Sequence, residues 1–544
     1  MTIIEFEQKV KKIINDLKAI CSDYGLANSG EEAKIITNLF MYKFLNDKLI
    51  YAIRKEEEKN LKNGENIEDY IQKINNDDYE EEILEYLGAN VPKFKKEHFI
   101  SFLFNKQNDT TTPFHKLLDD TMLDISDYNK EVYSFKTSTG KKRPLFTKIT
   151  ESIPDSSKRL QFAQAVINKL ASESFEDMFE RGDKHDFFSA VFEHLIKDYN
   201  KDSGKYAEYY TPAFASRIIA EIMVTEKVKN VTAYDPAGGS GSLLMALAHK
   251  IGEENCSIYA QELSQKSSDF LRLNLILNEL VHSLQNVAQG NTLSEPSHKE
   301  GANLRKFDFI TSNPPFNTDF SSIRETLSND AYNRFFAGVP GIPDKKKDGM
   351  PIYLMFMQHI ISSLKDNGKA CIVAPSGFCT NASGIPLKIR QELVNKNMLR
   401  GVIHMPSHIF ATTGTNVSLI FIDKEKTDKT VMFIDASNLG RKEKVDGYDR
   451  TVLSDKEEKL IIDTFSDKIE EKEFSKLVNI EKIKENGYQI SAGRYFDFEV
   501  EDTMTLEELQ IKVKTLTNDL NTLFNKSEEL QKVIKKQIGG IEYD

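Results

Sequence analysis

The spacing of apolar positions changes along the chain, and each change marks a boundary. Over residues 1–165 apolar residues recur every three or four positions, most clearly in "KIITNLFMYKFLNDKLIYAI" (34–53), which predicts an N-terminal helical domain. Acidic stretches and polar loops follow within it, and no catalytic cluster stands out. A second helical run, "DFFSAVFEHLIKDY", leads into the polar loop "NKDSGKYAEYYTP". From about residue 205 short apolar runs alternate with helical segments, the pattern of a parallel α/β sheet. Strands are expected at "NVTAYD", "CSIYAQE", "SLQNVAQ", "KFDFITS", "KACIVAP", "GVIHMP" and "VSLIFID", and helices at "SLLMALAHKIG", "SSDFLRLNLILNEL" and "IYLMFMQHIISSLKDNG". The α/β domain is assigned to residues 166–440. Residues 441–502 read as a charged helical extension, and 503–544 as a heptad-like helix. In that tail Leu506, Leu509, Val513, Leu516, Leu520, Leu523, Ser527, Leu530 and Ile534 follow alternating steps of three and four, so one apolar seam runs along a helix, with Ser527 as a polar interruption. An isolated helix cannot bury such a seam. It either folds back on the helical domain or docks on another chain.

In open α/β sheets ligands sit at the carboxyl ends of the strands, and the unusual residues fall there. "AYDPAGGSGSLL" follows the first strand: Asp235 closes it, and Gly238, Gly239 and Gly241 let the backbone turn tightly before a helix. Such a turn can also serve only to pack the helix on the sheet. The second strand ends at Glu262, some twenty residues later, where a carboxylate can take the two hydroxyls of a ribose or simply face water. "FDFITSNPPFN" ends another strand in Asn313, Pro314, Pro315 and Phe316. Proline removes a ladder donor and fixes its own backbone, so this ending is either a turn or a site.

Composition narrows the choice. A chain of 544 residues exceeds the usual single-core size, so two or three domains are expected. No stretch approaches the roughly 18 consecutive apolar residues of a membrane span, and "MTIIEFEQKVKK" lacks a signal-peptide core, so a cytoplasmic protein with no membrane partner is expected. Cys21, Cys256, Cys371 and Cys379 form no C-x-x-C pair and read as small core residues, against both a disulfide framework and a zinc cluster. The formal charge of -12 is unhelpful for gripping nucleic acid alone. A polyanion must meet a basic second subunit or a local patch such as Lys141, Lys142, Arg143 or Lys345, Lys346, Lys347.

The glycine turn lacks both G-x-G-x-x-G and G-x-x-x-x-G-K-[ST], which disfavours dinucleotide and Walker-type triphosphate binding and leaves a nucleoside ligand. The adenosine of S-adenosylmethionine satisfies this. An exocyclic base amine is a poor nucleophile, because its lone pair is delocalised into the ring. Two acceptors on its hydrogens, the Asn313 amide oxygen and the Pro314 carbonyl, would favour a pyramidal nitrogen, with Pro315 holding that carbonyl rigid. Phe316 can then stack on a flipped base. Since the sulfonium is already electrophilic, positioning does most of the catalysis and no metal is called for.

"YYTP" (209–212), "DPAGGSGS" (235–242), "YAQE" (259–262) and "NPPF" (313–316) occur in the order found in amino-methylating DNA methyltransferases. The flanking "FMQHIISSLKDNGKACIVAPSGF", "GIPLKIRQEL", "HMPSHIFATTGTNVSLIF" and "ENGYQISAGRYFD" resemble the modification subunit of type I restriction-modification systems, over roughly residues 170–500. The resemblance implies a Rossmann-like methyltransferase core of α/β class between helical regions, S-adenosylmethionine as donor and adenine N6 of double-stranded DNA as acceptor. It implies assembly with a specificity subunit, two modification subunits to one, and with a motor-nuclease restriction subunit. Carried over by position, Glu208, Tyr209, Tyr210, Thr211 and Pro212 line the cofactor pocket. Asp235, Pro236, Gly238, Ser240, Gly241 and Ser242 hold the methionine end, and Glu262 the ribose. Asn291 stands where many relatives have an aspartate contacting the cofactor adenine. Asn313 borders both cofactor and substrate, and Phe410 is a candidate second stacking aromatic.

Other readings remain open at this point. Asn-Pro-Pro-aromatic sites also methylate protein glutamine amides and RNA bases. A stand-alone DNA methyltransferase would need a recognition domain, for which the region after 440 is too short and too helical. A cytosine C5 enzyme needs a cysteine nucleophile, and neither Cys371 nor Cys379 carries a Pro-Cys signature, whereas cytosine N4 chemistry is not separated from adenine N6 by the residues alone.

Overall fold

The computed structural model describes residues 3–179, 211–496 and 506–538, apart from the short stretches 28, 59, 62–64, 89–90, 134, 137–141, 411–415 and 446–447. The N-terminal region is helical, with α1 (Ile3–Asp23), α2 (Gly30–Glu56), α3 (Phe114–Tyr128) and α4 (Arg159–Ala171) as its principal helices. Ser29 caps α2 by accepting the Glu32 N–H at 3.1 Å. Apolar residues surround α2 almost completely, which is why it runs through the core. Its buried charges are compensated: Asp47 accepts from Lys43 Nζ at 2.9 Å and from the Phe175 N–H at 2.7 Å. Contacts join this region to the α/β part, including Lys48 with Glu279 at 3.7 Å and Gln285 Nε2 donating to the Glu131 carbonyl at 2.8 Å.

The α/β part is a mixed sheet of nine strands: β1 (Val231–Asp235), β2 (Cys256–Glu262), β3 (Val287–Gln289), β4 (Phe307–Ser312), β5 (Leu364–Pro375), β6 (Leu399–His404), β7 (Val417–Asp423), β8 (Thr430–Asp435) and β9 (Ser475–Asn479). Their order across the sheet is β9-β8-β6-β7-β5-β4-β1-β2-β3. Pairing is parallel from β3 through β2, β1 and β4 to β5, while β7 enters antiparallel to both β5 and β6. Helices α5 (Ala213–Met223), α6 (Ser242–Ile251), α7 (Gln265–Leu277), α8 (Tyr353–Ser363), α9 (Gly384–Asn395) and α10 (Asp455–Ser466) accompany the strands. The result is a Rossmann-like α/β fold. One apolar cluster runs from Val10 in α1 through Ile258 in β2 to Phe465 in α10, so the helical region and the sheet share a core.

Differences from the sequence reading have local causes. Only Val287–Gln289 of "SLQNVAQ" is extended, because a 3-10 turn precedes it and Ser283 Oγ there takes the Ile258 N–H at 2.9 Å. The helix expected through residue 368 stops at Ser363, and β5 begins at Leu364. A Cβ at Gly368 would stand 2.9 Å from the Phe307 carbonyl oxygen, so the chain passes β4 where only glycine fits. The stretch 441–502 holds α10 but also a hairpin (Arg441–Val445 with Tyr448–Val452) and the edge strand β9, so it is not helical throughout. The run "DFFSAVFEHLIKDY" lies outside the described residues.

The chain divides into two compact units, Met1–Tyr495 and Phe496–Asp544. The described part of the second is a 33-residue helix, α11 (Leu506–Ile538). Along it Leu509, Val513, Leu516, Leu520, Leu523, Leu530 and Ile534 are each 51–64% exposed. Among the described residues no helix is long and apolar enough to cross a membrane.

Candidate active site

The strand order reverses between β1 and β4, which opens a crevice at their carboxyl ends. Asp235 ends β1 inside it, and Asn313 follows β4 directly. Ser312 Oγ donates to Asp235 Oδ1 at 2.7 Å, and the Ala237 N–H donates to the same oxygen at 2.9 Å. Asp235 is 2% exposed. Burial pushes its carboxyl up to about 7, against the pull of those two hydrogen bonds, so it is poised to ionise when a cation arrives.

The glycine loop after Asp235 is built around close approach. Gly241 sits at φ +86°, and a Cβ there would stand 2.2 Å from Leu271 Cδ1 on α7. Asn274 Nδ2, also from α7, donates to the Ser240 carbonyl at 3.1 Å. Glu262 faces the same loop: its Oε2 accepts the Gly239 N–H at 2.8 Å and its Oε1 the Ser264 N–H at 2.7 Å. Burial raises its pKa. The Leu263 N–H also reaches this carboxylate, so three backbone donors hold it and acceptor capacity for one further hydroxyl remains.

Beyond β3, Asn291 caps its own turn. Its Oδ1 accepts the Leu293 N–H at 3.0 Å and the Ser294 N–H at 3.3 Å, which leaves Nδ2 as the half of the amide that can meet a ligand. Thr292 Oγ1 donates to the Pro236 carbonyl at 2.6 Å and ties this turn to the glycine loop.

At the end of β4, Asn313 Nδ2 donates to Thr211 Oγ1 at 3.2 Å. With the nitrogen so engaged, Oδ1 is the half left to accept. Thr211 is buried, and Pro212 behind it caps α5. Pro314 is buried, while Asn313, Pro315 and Phe316 are half-buried. Phe316 meets Tyr353 edge-on, with centroids 6.3 Å apart.

The structure thus gathers Thr211, Pro212, Asp235 to Ser242, Glu262, Asn291 and Asn313 to Phe316 around one set of strand ends. Glu208, Tyr209 and Tyr210 lie outside the described residues. Phe410 is corrected: it is 4% exposed within the main apolar core, so its ring is spent on packing rather than presented to a base. Two roles were missed. Thr211 orients Asn313 from a distance of 102 residues in the chain, and Ser312 holds Asp235; only the adjacency of Ser312 to the motif could have signalled the latter. All four cysteines are buried and free, and burial pushes the thiols of Cys21, Cys256 and Cys379 up to about 12, which suits packing and not nucleophilic attack.

The family model of the N-6 DNA methylases matches residues 183–503. The methylase subunit of the type I restriction enzyme MpnII from Mycoplasma pneumoniae is 32% identical over 378 residues, covering 68% of this chain and 66% of that protein. The methylase subunit of the type I restriction enzyme MjaIX from Methanocaldococcus jannaschii is 27% identical over 392 residues, covering 68% and 65%. The chain therefore spans just under two thirds of the length of each. A type I restriction-modification system methyltransferase subunit from Streptococcus thermophilus has a similar fold, with a TM-score of 0.72 at 22% identity over 91% of this chain and 100% of that one. Since the family model takes in more than half of the sequence and all nine strands of the mixed sheet, the chain belongs to the N-6 DNA methylase family.

Proposed function

We propose that the chain is the modification subunit of a type I restriction-modification complex and methylates adenine N6 in double-stranded DNA with S-adenosylmethionine as donor. The observation that carries this reading is the hydrogen bond from Asn313 to Thr211, which leaves the Asn313 Oδ1 as an acceptor at the end of β4 beside the carboxylates of β1 and β2. The residues fit the cofactor. Asp235 is a buried carboxyl in want of a cation, as the methionine ammonium supplies, and the Glu262 carboxylate, held by three backbone N–H groups, keeps acceptor capacity for a ribose hydroxyl. The glycine loop admits a ligand close to its backbone, and the Asn291 turn walls the crevice beyond the ribose position. When bound, S-adenosylmethionine supplies an electrophilic methyl group.

The chain's own residues then prepare the nucleophile. Asn313 Oδ1 and the Pro314 carbonyl accept the two amine hydrogens, which localises the lone pair on nitrogen. Pro315 fixes the angle of that carbonyl. Phe316, held edge-on by Tyr353, offers a face to the extruded base. No residue of the motif titrates, so the surplus proton of the product leaves to water. The acidic chain takes its DNA sequence preference from a specificity subunit docked on α11, with two modification subunits to one specificity subunit and a motor-nuclease subunit joining the full complex.

The test is transfer of tritiated methyl groups by the chain co-expressed with its specificity subunit. Label should appear as N6-methyladenine in duplex DNA, and Asn313→Ala should abolish it while cofactor affinity stays within about threefold, since the lost acceptor serves the substrate amine. Label in RNA or protein instead, or undiminished transfer by the variant, would overturn the reading.

A further inference from the structure

The segment between the NPPF motif and α8 holds a buried ion pair that the reaction leaves unused. Arg334 is 2% exposed and meets Asp330 at 2.6 Å. Every guanidinium N–H has an acceptor: Nε and one Nη2 hydrogen go to Asp330 Oδ1, the other Nη2 hydrogen to the Leu293 carbonyl at 2.6 Å, and the two on Nη1 to the Thr292 carbonyl at 3.1 Å and His359 Nδ1 at 3.2 Å. Burial and the Arg334 charge keep His359 neutral, so its Nδ1 accepts and its Nε2 carries the proton toward the Tyr234 hydroxyl at 3.2 Å. Tyr234 is the residue before Asp235 in β1.

The turn after β3 is therefore gripped from both sides. Asn291 Oδ1 takes the N–H groups of Leu293 and Ser294, while Arg334 takes the carbonyls of Thr292 and Leu293, so two consecutive peptide groups are fixed at both ends. The Gly290 N–H adds a bond to the Glu262 carbonyl at 2.9 Å. A ligand lying across the strand ends, with its amino-acid end at Asp235 and its ribose at Glu262, sets its base against this turn, since β3 is the next strand in the sheet. With Oδ1 committed, Asn291 presents only Nδ2, a donor suited to a ring nitrogen acceptor of adenine.

We propose that Arg334 is a positioning residue: it holds the Asn291–Leu293 turn in the shape that recognises the cofactor's adenine, and so ties cofactor recognition to the segment that follows the catalytic motif. The inference rests on the cofactor reading above. Lysine cannot replace this guanidinium, because a single ammonium carries three donors and no planar fork.

The test is calorimetry on the full chain with S-adenosylhomocysteine and with S-inosylhomocysteine, whose N1 carries a hydrogen where adenine has an acceptor. The unaltered protein should prefer the adenosyl ligand by about tenfold or more, the cost of an unmade hydrogen bond to a buried donor. Arg334→Lys should weaken the adenosyl ligand about tenfold and the inosyl ligand little, so the preference collapses. Asp330→Asn, which keeps the guanidinium but weakens its anchor, should fall between, and it decides by the same criterion if Arg334→Lys does not fold. A preference that survives, equal weakening of both ligands, or no preference in the unaltered protein overturns the proposal. If the unaltered protein binds neither ligand, the cofactor reading itself fails, which is a separate result.

Discussion

One hydroxyl decides which half of the Asn313 amide can face a substrate. Thr211 Oγ1 takes Nδ2, so Thr211→Val should release the amide and lower kcat about tenfold, the worth of one orienting hydrogen bond, while Thr211→Ser keeps it. Single-turnover methylation would check this, with the threonine and serine forms expected to match. Asp235 gives a second prediction. Its folded pKa is about 7 against an ordinary 3.8, so the folded chain binds this proton more tightly than the unfolded chain. The stability it contributes is full below about pH 4 and is lost as the pH rises through about 7. Cofactor affinity should run the other way, because a cationic methionine end needs the ionised form: binding should tighten from pH 6 to about 7 and level off above. Calorimetry across this range should show that rise in the native chain and a flat, weaker response in Asp235→Asn; a flat native profile would separate Asp235 from the cofactor. The motif residues themselves were legible in the sequence, because their types are unusual for strand ends. Their partnerships were not, since Thr211 meets Asn313, and Arg334 meets the Asn291 turn, only once the sheet has formed.

Elements were legible where burial is symmetrical. Strand β7, flanked on both sides within the sheet, reads as a nearly continuous apolar run and matches its expected limits. The edge strand β9 is "SKLVN", with only Ser475 and Val478 buried, so its sequence carries almost no strand signal. It is defined by pairing with β8, from Thr430↔Asn479 to Ile434↔Ser475, and its place in a charged stretch hid it. The glycine turn shows the opposite case, where backbone demand is written in the sequence. Gly241→Ala would force a left-handed backbone on a residue with a Cβ and press that Cβ on Leu271. Even if Leu271 turns aside, the strain of about 1–3 kcal/mol remains, and the entry to α6 shifts. A lower melting temperature together with weaker cofactor binding is expected, and a variant that binds normally would show that the turn serves packing alone.

At the scale of the whole molecule, the open question is what covers the seam of α11. The first unit, Met1–Tyr495, contains every described strand, every described site residue and the continuous core, so nothing in the proposed chemistry requires the second. The described part of the second unit is a long helix whose seven apolar seam residues are each more than half exposed, an arrangement that water does not reward. Burying them fully would gain on the order of 10 kcal/mol before the entropy of association is subtracted, at about 1.5 kcal/mol or more for each side chain. The alternating steps of three and four suit a helical partner packed as a coiled coil, and Ser527 in the seam limits the registers such a partner can take. Under the proposed function a specificity subunit fits this role, because a chain of net charge -12 gains from a basic second subunit when it meets DNA. Removing residues 503–544 should therefore leave the melting temperature and cofactor affinity of the remainder close to those of the full chain. Co-purification with the specificity subunit and methylation of its DNA site should be lost. Replacing Leu516 and Leu520 by Asp in the full chain should give the same loss without shortening it, which separates the seam from the mere presence of a tail. A truncated chain that still assembles, or a full chain that methylates one defined DNA site by itself, would remove α11 from this role.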